Sequence, residues 1–360
     1  MQNNQAIPFN KENFKQIFSK QFALVIIISI PSAIVAEYFD IPLAWFLGPM
    51  LVTSLASLLG LKIKMPRLVL SSILILLGLY IGNYIDKSLF AQIHQWAWTS
   101  LIMLVYIILS VLIVSKYLQI FSKYDRKTSI FSAAPGALGP LMILAEDEKS
   151  DLSQVATSHL IRLIIIISVF PFVVNSFYDV EGAKVVEEVL ENQKSTHLII
   201  LIISSIILIF FFDKFKVPAA LLSGTLFASG FLQISEIATY QFSPNIIDYC
   251  LLILGASVGC RFADKTFSEI GRNALHSFVA TFLLVVLGLI AAFIAGLIID
   301  KNFFTLLLSY CPGGIYEVAV IAIFFDLDPE FVSFHHIIRL LMILFIVPLM
   351  LKIIPKKNLI

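Results

Sequence analysis

The chain has 360 residues, 59% of them hydrophobic and only 14% charged, with a net charge of +1 and a mean hydropathy of +0.94. Soluble domains carry about 25% charged residues, so these numbers exclude an ordinary soluble enzyme and point to a bilayer, which takes ~20 apolar residues per spanning helix. The near-neutral balance, with no basic stripe, also argues against nucleic acid as a partner.

Met1–Gln21 is a polar arm carrying Lys11, Lys15 and Lys20. Without an early apolar run or a small-residue cleavage site it reads as a cytoplasmic N-terminus rather than a cleaved signal peptide. Apolar stretches then predict spanning helices at 22–38, 42–61, 67–85, 97–118 and 153–177, and again at 197–212, 218–234, 246–262, 275–299 and 331–354. Two more apolar segments, 128–147 and 304–325, are interrupted by Pro-Gly. A polar, acidic connector at 178–195 separates the two series. Cys250, Cys260 and Cys311 form no CxxC and read as small buried hydrophobes.

The two series are copies of one unit. At a spacing of 177 residues Pro135-Gly136 falls on Pro312-Gly313, His159 on His336, Arg162-Leu163 on Arg339-Leu340, Pro171 on Pro348, and Gly78 and Gly82 on Gly255 and Gly259. Pro42, Ala44 and Gly48 fall on Pro218, Ala220 and Gly224 at 176. The expected organisation is an N-terminal arm (1–21), a first membrane repeat (22–177), a linker (178–195) and a second membrane repeat (196–355). Loop charge orients them, since cytoplasmic loops favour Lys and Arg. If the Pro-Gly segments dip in and return, Lys116–Lys127, Lys214/Lys216, Arg261–Arg272 and Lys352–Lys357 all fall inside, and the acidic linker falls outside. The expected fold class is therefore an all-α integral membrane protein with two inverted repeats, about ten spanning helices and one re-entrant segment per repeat. It would be multi-pass in the plasma (inner) membrane, with both termini cytoplasmic.

Three groups of residues carry the functional reading. Pro135-Gly136 and Pro312-Gly313-Gly314 break apolar helices, because proline lacks the N–H and glycine adopts conformations other residues avoid. Matched breaks in two repeats are a sequence pointer to a transporter's binding site, with a simple kink as the bland alternative. His159/Arg162 and His336/Arg339 are each three apart and share a helix face. The arginines either snorkel to the interface or turn inward to grip an anion bidentately. A further reading pairs Arg339 with Glu317, an acid in the second break that has Pro140 as its counterpart. Gly78-x-x-x-Gly82 and Gly255-x-x-x-Gly259 read as close helix packing. Nothing in the spacing of His and Cys predicts a metal, and no cofactor is expected.

Pro312-Gly313-Gly314-Ile315-Tyr316-Glu317 followed by His336-Ile337-Ile338-Arg339 resembles the signature of the duplicated AbrB membrane-protein family. The resemblance runs from about Phe22 to Leu351, and the first repeat departs from the pattern at Ala137 and Pro140. It implies a polytopic membrane protein whose relatives carry labels of membrane regulator of gene expression and of ammonia monooxygenase. Those relatives share only a name with the small DNA-binding transition-state regulators. The leading expectation is a non-enzymatic secondary transporter or carrier of a small solute, an anion in one reading, bound between the repeats. A membrane sensor or regulator acting through partners ranks second and a membrane oxidoreductase third. The bilayer and the solute are the expected partners, with a homodimer as one allowed assembly.

Overall fold

A computed structural model describes residues 11–85, 88–136, 138–177, 195–238, 240, 242, 245–263 and 265–353. Part of the N-terminal arm, nearly all of the 178–195 linker and the end of the second repeat lie outside the described residues.

Among the described residues the regular structure is helical. After a short α1 (Lys11–Ile17) come α2 (Lys20–Tyr38), α3 (Ala44–Leu58), α4 (Arg67–Gly82), α5 (Ser88–Phe121), α6 (Arg126–Ala133), α7 (Leu138–Asp147) and α8 (Leu152–Phe177). The same succession returns as α9 (Ser195–Lys214), α10 (Ala220–Ile234), α11 (Asn245–Cys260), α12 (Phe267–Gly296), α13 (Phe303–Tyr310), α14 (Ile315–Phe324) and α15 (Pro329–Ile353). The repeat reaches into backbone detail. Non-glycine residues at positive φ, a conformation costing L-residues about 1–2 kcal/mol, recur as Asp40 and Lys216, Leu43 and Ala219, and Lys149 and Asp326.

Among the described residues six helices are long and apolar enough to cross a membrane: α2, α5, α8, α9, α12 and α15. The protein is a membrane protein on these helices. Four of the stretches expected to span, at 42–61, 67–85, 218–234 and 246–262, form the shorter apolar helices α3, α4, α10 and α11. Sixteen residues at 1.5 Å each give about 24 Å, less than the ~30 Å hydrocarbon core. For α3 the backbone sets the length: Leu43 is left-handed at the N-cap, and Gly60, just past the end, has φ 87°.

The chain divides into two compact units that each draw on both repeats, rather than one unit per repeat. The first unit comprises 1–91, 171–266 and 319–330. Here α3 packs on α11 and α4 on α10, with the paired glycines at the crossings. A Cβ on Gly255 would collide with the Phe46 carbonyl, and one on Gly259 with Thr53 and Ser54. Likewise Gly78 abuts Leu222 and Thr225, and Gly82 abuts Leu226 and Ser229. Contacts rise together along both chains, so α4 runs in the direction of α10, and α3 in that of α11. Hydroxyls tie these seams: Ser57 donates to the Gly259 carbonyl at 3.0 Å and Ser229 to the Leu79 carbonyl at 2.9 Å. The packing reading of the two GxxxG elements thus has its partners.

The second unit comprises 92–170, 267–318 and 331–360. Its core includes Val114 and Leu118 of α5, Ala133 of α6, and Ala280 and Leu284 of α12. This unit contains both Pro-Gly breaks and both His-x-x-Arg pairs.

Candidate functional site

Each break is a helical hairpin built by local rules. Asp125 caps α6, accepting from the Thr128 N–H at 2.8 Å; Asn302 caps α13 through Phe304 N–H at 2.8 Å. Each helix then ends at the residue before proline, which proline pushes out of the helical region. Ala134 (φ −62°, ψ 129°) and Cys311 (φ −58°, ψ 131°) take nearly the same extended conformation. In the first hairpin α7 folds back on α6, and the two ends of the segment meet at its mouth. Lys127 Nζ lies 2.7 Å from Glu148 Oε2, and the Asp151 N–H donates to Thr128 Oγ1 at 3.0 Å. The Lys127 ammonium holds the Glu148 carboxyl below its usual range. In the second segment Lys301, before α13, sits over the Phe331 ring after α14, 5.6 Å from its centroid.

The breaks free backbone carbonyls, and the His-x-x-Arg pairs take them up. His159 Nε2 donates to the Phe131 carbonyl at 2.9 Å, and His336 Nε2 to the Leu308 carbonyl at 3.0 Å. Arg162 donates through Nη1 to Ala134 and through Nη2 to Ser132. Arg339 donates through Nη1 to Cys311 and through Nη2 to Gly313. Both guanidiniums are interior, with Arg162 2% exposed and Arg339 fully buried. They do not snorkel, and the Nη fork that a bidentate grip would use is spent on backbone. An unmet buried carbonyl costs about 1–3 kcal/mol, which is what this arrangement avoids. Arg339 Nη2 also reaches His336 Nδ1 at 3.0 Å. Because that nitrogen must accept, the His336 proton sits on Nε2, where it meets Leu308.

The first hairpin touches the arginine that serves the second break. Gly136 has φ 100° and lies against the Arg339 guanidinium: a Cβ there would stand 2.9 Å from Nη2. Gly136 therefore needs glycine twice over, for its backbone and for its space. Gly313, expected to share that conformational role, is not at positive φ. Its need is space alone, since a Cβ would collide with Val318 and touch Ile166. Pro135 and Pro312 stand beside these glycines and set the extended residues before them. Gly314 leaves room for the Glu317 carboxylate, which folds over it in a buried position.

Sequence reasoning missed Tyr106 of α5. It is buried, stacks edge-on with Tyr310 at 6.2 Å between centroids, and lies in the field of both Arg162 and Arg339. Its signal was a lone phenol in the middle of a spanning stretch. His335 faces away from the arginine pair, bonding Thr99 Oγ1 at 2.7 Å and the Phe331 carbonyl at 2.9 Å.

The family described as "Transition state regulatory protein AbrB" matches residues 45–355. The chain belongs to the AbrB family. Among its relatives, "Uncharacterized protein YhjN" of Bacillus subtilis (strain 168) is 23% identical over 293 residues, 76% of this chain and 75% of the relative. "Putative regulator AbrB" of Escherichia coli (strain K12) is 22% identical over 347 residues, 94% of this chain and 99% of the relative. No solved structure matches. The AbrB match spans both Pro-Gly breaks and both His-x-x-Arg pairs.

Proposed function

We propose that this AbrB-family chain is a secondary transporter, or channel-like carrier, whose small solute binds where the two Pro-Gly hairpins meet. The contact of Arg339 with Gly136 carries the reading. Irregular backbone at membrane depth persists where protein buries it or where it lines a cavity. Paired breaks at a repeat interface are where transporters hold their cargo. The chain is read as non-enzymatic and resident in the plasma membrane, with cytoplasmic termini and a homodimer as one allowed assembly.

Inverted repeats, with ten crossings and a re-entrant hairpin in each, account for contacts in both units. Arg126, at the mouth of the first hairpin, donates to the Leu351 carbonyl near the end of α15. Lys301, at the mouth of the second, lies over Phe331 near the start of α15. Phe331 and Leu351 are 20 residues apart on one helix, about 30 Å at 1.5 Å per residue. That distance matches the hydrocarbon thickness, so the mouths open to opposite faces in this reading. In the first unit α4 runs with α10, the counterpart of α3. If α3 and α4 cross the membrane in turn, the second repeat is upside down relative to the first.

Purified chain in proteoliposomes, tested against a panel of anions, amino acids and neutral solutes, should give saturable uptake of at least one. Absence of uptake across the panel, with correctly folded protein, would overturn the carrier. A regulator is the second reading, favoured by the names that the family and the Escherichia coli relative carry. It is tested by a change in transcript levels on deletion that a transport-dead Gly136→Val chain rescues.

A further inference from the structure

We infer that the hairpin tips hold a small monovalent oxyanion, of which a carboxylate is the simplest, between Arg162 and Arg339, with Tyr106 as a third donor. The inference rests on the carrier reading for its place and adds the chemistry of the cargo.

Charge is the first argument. In the unit that contains the tips, the buried charged side chains among the described residues are Arg162, Arg339 and Glu317, with the histidines counted as neutral; buried Glu330, at the start of α15, is nine residues from Arg339, about 14 Å along the helix, and is not counted at the tips. Two cations against one anion leave one positive charge in a protein interior, where an unbalanced charge is expensive. The two guanidiniums also lie within electrostatic range of each other. One monovalent anion near both balances the count, whereas a divalent one overshoots it.

Donor chemistry is the second. Nη1 and Nη2 of each arginine are engaged with carbonyls, but Nε of Arg162 and Nε of Arg339 have no hydrogen-bond partner. The Tyr106 hydroxyl, with Ser110 near it, and Ser132 Oγ likewise complete no hydrogen bond of normal geometry. An Nε–H can only donate. A ligand that meets two such groups must accept from two directions, as the two oxygens of a carboxylate do, one per guanidinium. The phenol then donates to either oxygen. Gly136, with no Cβ, lets the tip of the first hairpin lie directly against the Arg339 guanidinium.

The test is binding rather than flux. Detergent-purified full-length chain is titrated with formate, acetate, chloride, sulfate and acetamide at matched ionic strength, following thermal midpoint and tryptophan fluorescence. Formate or acetate should raise the midpoint saturably, while sulfate and acetamide should not. Tyr106→Phe keeps the ring and removes one charge-assisted hydrogen bond, so carboxylate affinity should fall about tenfold or more. Ser132→Ala should fall in the same direction and tests the site should Tyr106→Phe fold poorly. A midpoint that no carboxylate moves, that sulfate moves equally, or carboxylate affinity unchanged in both variants would overturn the oxyanion. Uptake of a neutral solute without a carboxylate effect would retain the carrier and discard the anion. Carboxylate binding without uptake of any solute would do the reverse.

Discussion

Arg339 of the second repeat lies against the Cα of Gly136 in the first, while its Nη atoms donate to Cys311 and Gly313 two helices away. One side chain thus touches both breaks. The counterpart arginine, Arg162, serves only its own, through Ser132 and Ala134.

That asymmetry orders the arginines. Lysine offers one ammonium where arginine offers a planar fork, so Arg339→Lys leaves at least one break carbonyl unmet, at about 1–3 kcal/mol. Arg162→Lys should cost a similar amount of stability but less transport, since Arg339 also orders His336 and the opposite hairpin. Thermal melts and uptake assays of the two variants check this. Equal losses of transport would remove the asymmetry.

Gly136→Ala should be worse than Gly313→Ala. The first adds about 1–2 kcal/mol of left-handed strain to a collision with Arg339. The second meets only side chains, Val318 and Ile166, which can shift. Thermal midpoints of both proteins decide the order, and a reversed order would sink the assigned backbone roles.

Cysteines placed singly in the 178–195 linker should react with an impermeant maleimide from the outer face of intact cells. Labelling solely after the membrane is opened would restore parallel repeats. It would also require another account of why Arg126 and Lys301 lie at opposite ends of α15.

Lys127→Ala should loosen the mouth of the first hairpin, read as faster amide exchange in α6 and α7. Acidification should act in the same sense. A carboxyl held below its usual range stabilises only above that range, and the contribution of Glu148 is lost as pH falls through its lowered value. Both groups are half-exposed, so the effect should be small and should shrink with salt. Exchange that is independent of pH would dismiss the pair as a clasp.

The breaks were legible because proline and glycine act locally: Pro135 and Pro312 dictate the conformation of Ala134 and Cys311 wherever they stand. The repeat was legible because His, Arg and Pro matched in register. The direction of the arginines was not. Ten residues into α8 or α15, a guanidinium can snorkel or turn inward, and only the position of the neighbouring hairpin decides. The use of Gly78 and Gly255 was half legible: small residues announce that something comes close, not that α10 or Phe46 is what comes. Tyr106 escaped notice because one phenol among leucines and isoleucines looks like filling until two cations are seen beside it.

The packing of α4 on α10 and of α3 on α11 also sets a schedule for biogenesis. When Gly78 and Gly82 leave the ribosome, the helix they pack against is some 140 residues from being made, roughly 7–28 s at ordinary elongation rates. During that interval the nascent first repeat sits in the lipid with its tightest seam open, and chaperoning or lipid has to cover it. A repeat expressed alone never receives the missing helix from its own chain. It would have to borrow it from a second molecule, so a half-length product should be found as a dimer or be degraded.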